Sequence, residues 1–162
     1  MNSILKKTVL TLLSILCISG CTNVATDNSD DIDALKAHMI KSDSSIKINP
    51  MAETVASLIA DPTQQQEMLD EAKARYAQMD IKDIYLVTGA TFESNETVIG
   101  SLVHFNKKLT LDEAKAQLAK DETFKDQLVG VFMNGNFAFS VATLDGKTVT
   151  PKSVITAFTN FN

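Results

Sequence analysis

The chain has 162 residues, 15 basic and 20 acidic side chains, and a formal net charge of −5. That balance argues against a nucleic-acid partner and against a polybasic grip on anionic lipid. A single arginine, Arg75, supplies little for a bidentate clamp on phosphate or carboxylate. The only cysteines, Cys17 and Cys21, stand too near the start to staple the residues that follow them.

The first twenty residues read as a leader. Lys6 and Lys7 precede an apolar run from Val9 to Ile18, and the small residues Ser19 and Gly20 follow. This is the order of a charged region, an apolar region and a cleavage site. The run is about half of the roughly 20 residues needed to cross a bilayer, so a removed leader is expected rather than a retained span. A plain secretory leader would have no need of a cysteine after Ile18-Ser19-Gly20.

The tail Ile18-Ser19-Gly20-Cys21 resembles the lipobox of bacterial lipoproteins: an aliphatic residue, two small ones, then Cys. The resemblance implies that residues 1–20 are a signal peptide and that Cys21 becomes the first mature residue. It also implies that the Cys21 sulfur carries a diacylglyceryl thioether, with fatty acyl chains such as palmitate, in a bacterial envelope membrane. Thr22, rather than Asp, follows the cysteine. By resemblance to the sorting of Gram-negative lipoproteins, this implies the outer membrane.

The leader holds two of the 15 basic residues and none of the acidic ones, so the remaining 142 residues carry 13 basic against 20 acidic side chains, a balance near −7. That length suffices for one domain with a real core. The apolar supply, 44% of the chain with eight Phe and no Trp, must hold it without a disulfide. Residues 21–29 are polar and unpatterned beyond the cysteine and read as a tether. Its eight residues 22–29 reach about 26 Å when fully extended, which keeps the domain, residues 30–162, close to its membrane.

Helices are expected first, over residues 30–79. Ile32, Leu35, Met39 and Ile40 recur at helical spacing, with Ser29 as N-cap and Asp30 and Asp31 in the first turn. Residues 42–48 read as a polar connector. All three prolines then follow a capping residue, in Asn49-Pro50, Asp61-Pro62 and Thr150-Pro151. Proline suits the first helical position, so each pair predicts a helix start. Met51, Val55, Leu58 and Ile59 form one apolar stripe; Met68, Leu69, Ala72, Tyr76 and Met79 form the next, with Asp61 to Gln64 as a capping box.

Beyond Met79 the period changes. Residues 84–87 and 98–105 are rich in β-branched and aromatic side chains on either side of a polar turn at 93–96, which predicts a hairpin. Thr110 and Glu113 predict a capping box opening a helix with Leu111, Ala114 and Leu118 on one side. A second hairpin, 129–133 and 137–144, turns at Asn134-Gly135, a favoured type I′ pair. Its alternation of Phe137, Phe139 and Val141 with Ala138, Ser140 and Ala142 suits one buried face. Thr150-Pro151 opens a last helix carrying Val154, Ile155, Phe158 and Phe161.

The segment from Ser101 to Thr110 is repeated in outline from Ser140 to Thr150. A weak ββα repeat over 80–162 predicts an α+β fold, a four-stranded antiparallel sheet with helices on one face; any two hairpin-helix units would share this much. The tandem arrangement resembles the topology of the β-lactamase-inhibitor protein and of some envelope lipoproteins, a likeness that carries no function.

Motifs for chemistry are few. His38 and His104 do not fall in a metal-ligand spacing, and no cysteine follows Cys21 to act as ligand or nucleophile. A calcium loop starting at Asp27 would need Gly and Glu where Ile32 and His38 stand. Neither a cofactor nor a metal is therefore expected. The methionines on the apolar stripes read as core filler. The expected function is that of a non-enzymatic, membrane-anchored lipoprotein binding a protein partner near the membrane, as an assembly, accessory or exclusion factor. The alternatives are an inhibitor or immunity lipoprotein and, third, a ligand carrier or enzyme. An exposed apolar patch rimmed by acids favours the first two, a deep polar pocket the third. Helices on one face leave half the sheet bare, so Tyr85, Phe132 and Phe137 are the candidate partner surface. The helices after Pro50 and Pro62 are the alternative cover.

Overall fold

The computed structural model describes residues 30–91, 94–121, 124, 130–144 and 147–162. Cys21, the leader and the tether lie outside the described residues. In chain order the elements are α1 (Ile32–Ser42), β1 (Lys47–Pro50), α2 (Met51–Ala56), α3 (Pro62–Gln78), β2 (Ile81–Thr91) and β3 (Ser94–Phe105). There follow α4 (Leu111–Leu118), β4 (Val131–Asn134), β5 (Phe137–Val141), the short strands β6 (Thr143–Leu144) and β7 (Lys147–Thr148), and α5 (Lys152–Thr159). The architecture is α+β. An antiparallel sheet of order β1-β2-β3-β5-β4 carries the helices, and β6 and β7 form a separate ribbon.

The helix starts follow the capping chemistry, with two shifts. Asp31 caps α1, its carboxylate accepting from the backbone N–H groups of Asp33 and Ala34 at 3.0 Å; the expected cap, Ser29, lies outside the described residues. Asp61 caps α3, accepting from the Thr63 and Gln64 N–H groups with Pro62 at the first position, which is the Asp61 half of the expected capping box. Thr110 and Glu113 close the reciprocal capping box of α4. Pro50 and Pro151, however, stand at the N-cap itself rather than one residue inside. The residues before them are engaged elsewhere: Asn49 pairs with Leu86 in the sheet, and the Thr150 hydroxyl accepts from the Ala142 N–H and donates to the Ile99 carbonyl. Thr150 thus reinforces the Ala142 N–H to Ile99 carbonyl contact instead of capping the helix.

The sheet has one strand more than expected. Residues 47–50, read as the end of a connector and the Asn49-Pro50 start of a helix, pair antiparallel with β2 from Lys47↔Thr88 to Pro50↔Tyr85. Ile46 and Ile48 are buried, a period-two signal only two residues long, and Pro50 is tolerated because β1 is an edge strand. The second hairpin also turns one residue later than expected. Asn134 pairs with Phe137, so the loop is Gly135-Asn136. Gly135 has φ 56°, and Asp80 is the only described non-glycine residue with positive φ. Glycine first and a second residue with negative φ is the type II′ pattern, which matches strand twist as well as type I′ does. Asn134 is thereby freed, and its side-chain amide donates to the carbonyls of Phe158 and Phe161 at 2.7 Å.

The largest departure concerns the faces. Tyr85, Leu102, Phe139 and Phe132 lie in one row across β2, β3, β5 and β4. With Val87, Phe137 and Ile48 they pack against Leu35 and Met39 of α1 and Val154 and Phe158 of α5. The opposite face, with Ile84, Val103, Ala138 and Val131, packs against Met51 of α2, Tyr76 of α3 and Ala114 and Leu118 of α4. Helices therefore cover both faces. Ala138 and Ser140, expected to point outward, are buried; the large-small alternation of β5 separates two covered faces rather than core from solvent. Ser101 and Ser140 do stand opposite one another on β3 and β5, as the repeat suggests. The likeness ends there, since α4 and α5 lie on opposite faces and a two-fold axis normal to the sheet would put them on one.

Four phenylalanines, Phe105, Phe137, Phe139 and Phe158, are completely buried. Each contributes roughly 1.5–3 kcal/mol relative to exposure, so the two core layers supply what a disulfide would otherwise provide. The stripe expected after Pro50 turns inward only in part, with Met51 packed on the sheet and Ile59 half-buried. In α2 the buried side chains are Ala52 and Ala56, whose small size lets a six-residue helix lie close to the sheet. Val55 is 47% exposed and Leu58 82%. In α3 no residue is fully buried, and Met68, Leu69, Ala72 and Tyr76 are half-buried.

Candidate functional site

The residues expected to form a partner surface come together, but as core. Tyr85 is 6% exposed and Phe137 0%, and both belong to the cluster under α1 and α5, with Phe132 half-buried at its margin. This corrects the expectation of a bare face. The covering helices are the first and the last of those described, not the ones after Pro50 and Pro62. The Lys36 ammonium of α1 sits 4.1 Å above the centre of the Tyr85 ring. The Tyr85 hydroxyl is held neutral by burial, reinforced by the charge and hydrogen bond of Asp83, which push its pKa up.

Polar side chains converge instead at one end of the sheet, where the described chain begins. His104, near the end of β3, is 1% exposed, and its ring lies 4.5 Å from that of Phe137. Its Nε2 meets the Asp30 carboxylate at 2.6 Å. The Asn136 side-chain amide donates to the same oxygen at 3.1 Å. Asn136 is positioned in turn by its own carbonyl, which accepts from the Phe105 N–H. Asp30 itself is largely exposed, with 58% of its side chain in solvent. It is an exposed acid clasped by a buried base.

The same end carries the joint between α3 and β2. Met79 ends the helix, and Asp80 follows with φ 57°, a left-handed conformation that Asp accepts more readily than most residues. The Asp80 carboxylate accepts from the Asn106 amide at 3.2 Å and meets the Lys107 ammonium at 2.9 Å. Those two contacts hold its pKa below the ordinary value. In the last turn of the same helix, burial pushes the pKa of the Tyr76 hydroxyl up to about 12, reinforced by the charges of Asp83 and Glu53.

Nothing local in the sequence announces the Asp30–His104 contact, because 74 residues separate its partners. The one signal was the apolar company of His104 on its strand, since a buried imidazole needs a hydrogen-bonding partner. His38, by contrast, is exposed on α1, with its ring 5.7 Å from that of Phe161. Phe161 itself is buried, between the exposed Asn160 and Asn162. Among the described residues no group of three or more His, Cys, Asp or Glu side chains is placed to hold a metal ion. Among them, too, no helix is long and apolar enough to cross a membrane.

The clasp has a pH signature. The hydrogen bond from His104, then that from Asn136, holds the Asp30 carboxyl below its ordinary 3.8. A lowered folded-state pKa adds stability that is complete above the unfolded value and is lost as pH falls through the folded one. The contribution of the Asp30 carboxylate to the melting-temperature difference between wild type and Asp30→Asn is therefore expected to be present at pH 5. It should shrink below about pH 4, where the wild-type carboxylate takes up its proton. A difference that stays constant down to the lowest pH at which both proteins fold would show that the charge of Asp30 contributes nothing.

No family model matches this chain, and no curated protein or solved structure matches it either.

Proposed function

We propose that this chain is a lipid-anchored envelope protein whose domain binds a protein partner close to its membrane. The observation that carries the reading is the Ile18-Ser19-Gly20-Cys21 tail of the leader, which ends nine residues before the domain begins at Asp30. The partner-binding part is supported by the corner between α2 and α3. Leu58 and Val55 are exposed there, Met68 and Leu69 of α3 are half-buried, and the exposed acids Glu53, Asp61 and Glu67 accompany them. Apolar side chains accessible beside acids suit a protein surface better than a catalytic pocket.

Two substitutions test the two parts separately. Cys21→Ser removes the atom that would be acylated, so the protein should leave the membrane fraction and lose acyl labelling. Labelling that persists in Cys21→Ser would sink the anchoring. Leu58→Asp should reduce crosslinking of the lipidated protein to its envelope partner severalfold. It should move stability by no more than about 0.5 kcal/mol, as surface changes do. Undiminished crosslinking would remove this corner from the binding surface.

A further inference from the structure

We infer that the sheet end holding Asp30 is the membrane-facing surface of the domain, meeting the polar headgroup layer of the bilayer that anchors Cys21. The inference rests on the anchoring proposed above. It follows from where the chain enters the fold and from two lengths.

The entry point is fastened. The Asp30 carboxylate is held by His104 Nε2 at 2.6 Å and by Asn136 Nδ2 at 3.1 Å. Both partners sit at the same sheet end, where β3 finishes at Phe105 and β5 starts at Phe137. One residue on, Asp31 is fixed as the cap of α1. The chain between Cys21 and the domain is thus measured from Asp30 and gains nothing by unwinding the first turn.

The first length is that of the connection. Nine peptide links join Cys21 to Asp30, and fully extended they span at most about 32 Å. The second length is that of the sheet. From Phe105 at the Asp30 end to Ser94 at the other, β3 rises about 36 Å at the usual strand rise. With the domain inverted, Asp30 would stand farther from the bilayer than the connection can reach. The inverted orientation, with the far end of the β2–β3 hairpin against the bilayer and Asp30 away from it, is therefore excluded.

The near end has the chemistry for that position. Asn106, Lys107 and Lys108 are exposed there, beside the Asp80 carboxylate and the polar loop Gly135-Asn136. The surface is hydrogen-bonding and mixed in charge, suited to rest among headgroups and not to enter the acyl layer. The exposed apolar side chains Val55 and Leu58 belong to a different place, the corner between α2 and α3.

The test uses the mature lipidated protein in phosphatidylethanolamine–phosphatidylglycerol vesicles containing headgroup spin-labelled lipid. An acylated Cys21 has no free thiol, so Lys108→Cys and Ala90→Cys each accept one fluorophore, at the near and far ends respectively. Both residues are exposed, and neither contributes to the clasp. Quenching is expected to be severalfold stronger at position 108 than at position 90. Equal quenching, meaning a domain lying on its side, or stronger quenching at 90 would overturn the orientation while leaving the anchor intact. Thiol labelling of the parent protein at Cys21, together with failure to partition into vesicles, would overturn the anchor and the orientation with it.

Discussion

Tyr85→Ser is expected to cost about 3 kcal/mol or more, the range for removing a buried aromatic side chain. The ring is buried among side chains of α1 and its neighbours on the sheet, with Lys36 above it. Serine would leave a cavity, strip Lys36 of its aromatic contact and place a hydroxyl among apolar neighbours. Set against a typical total of 5–15 kcal/mol, the loss would be plain in a urea titration as a lower midpoint at unchanged slope. A shift within about 0.5 kcal/mol would mean that the Tyr85 face is a surface after all.

Gly100→Val tests the opposite kind of error, too much volume at the centre of the sheet. A Cβ at this position would lie 2.6 Å from Phe139 Cζ and 2.7 Å from the Ser140 carbonyl oxygen. The first neighbour could give way only by disturbing its packing on Phe158, 5.6 Å away between ring centres; the second is backbone and cannot. Overpacking of this kind costs about 1–3 kcal/mol and sometimes more, and valine adds two methyl groups beyond the Cβ. Thermal unfolding should show a fall of several degrees. Wild-type stability in Gly100→Val would mean that Phe139 does not lie over Gly100.

These two substitutions touch the part of the fold that was hardest to read in the sequence. Elements with a chemical punctuation mark were legible: Asp61-Pro62 caps its helix and Thr110-Glu113 forms its box because side-chain capping is decided within four residues. The first hairpin was legible from its β-branched and aromatic runs, and the second from the Asn134-Gly135 pair and the alternation that follows it. What failed was whatever depended on partners distant in the chain. The strand at 47–50 is specified by pairing with residues 85–88, and its own signal is only Ile46 and Ile48. The cover over Tyr85 comes from α1 and α5, the first and last described helices in the chain, which meet over one face of the sheet. An alternation such as Phe137 to Ala142 reads as one buried face, yet alternating large and small side chains serve equally well between two helical layers.

The candidate site divides along the same line. The Ile18-Ser19-Gly20-Cys21 tail is a local motif, and the proposed anchor rests on it. The clasp is a tertiary contact, and Asp30 looked like a first-turn acid favouring the helix dipole, the role that Asp31 takes as N-cap. A helix start two residues later than expected, at Asp31 rather than Ser29, released Asp30 to meet His104. The same economy appears at Asn134, which the turn did not need and which instead satisfies two carbonyls near the end of α5. In both cases a residue with a plausible local use serves a distant one, because a buried unpaired polar group costs more than a cap contributes.

The most direct measurement is the intact mass of the first peptide of the mature protein isolated from its native membrane. The expected result is a chain that begins at Cys21 and carries a diacylglyceryl group on the sulfur, with none of residues 1–20 remaining. An unmodified cysteine at position 21, or a chain that begins elsewhere, would contradict the lipid anchor and everything built on it.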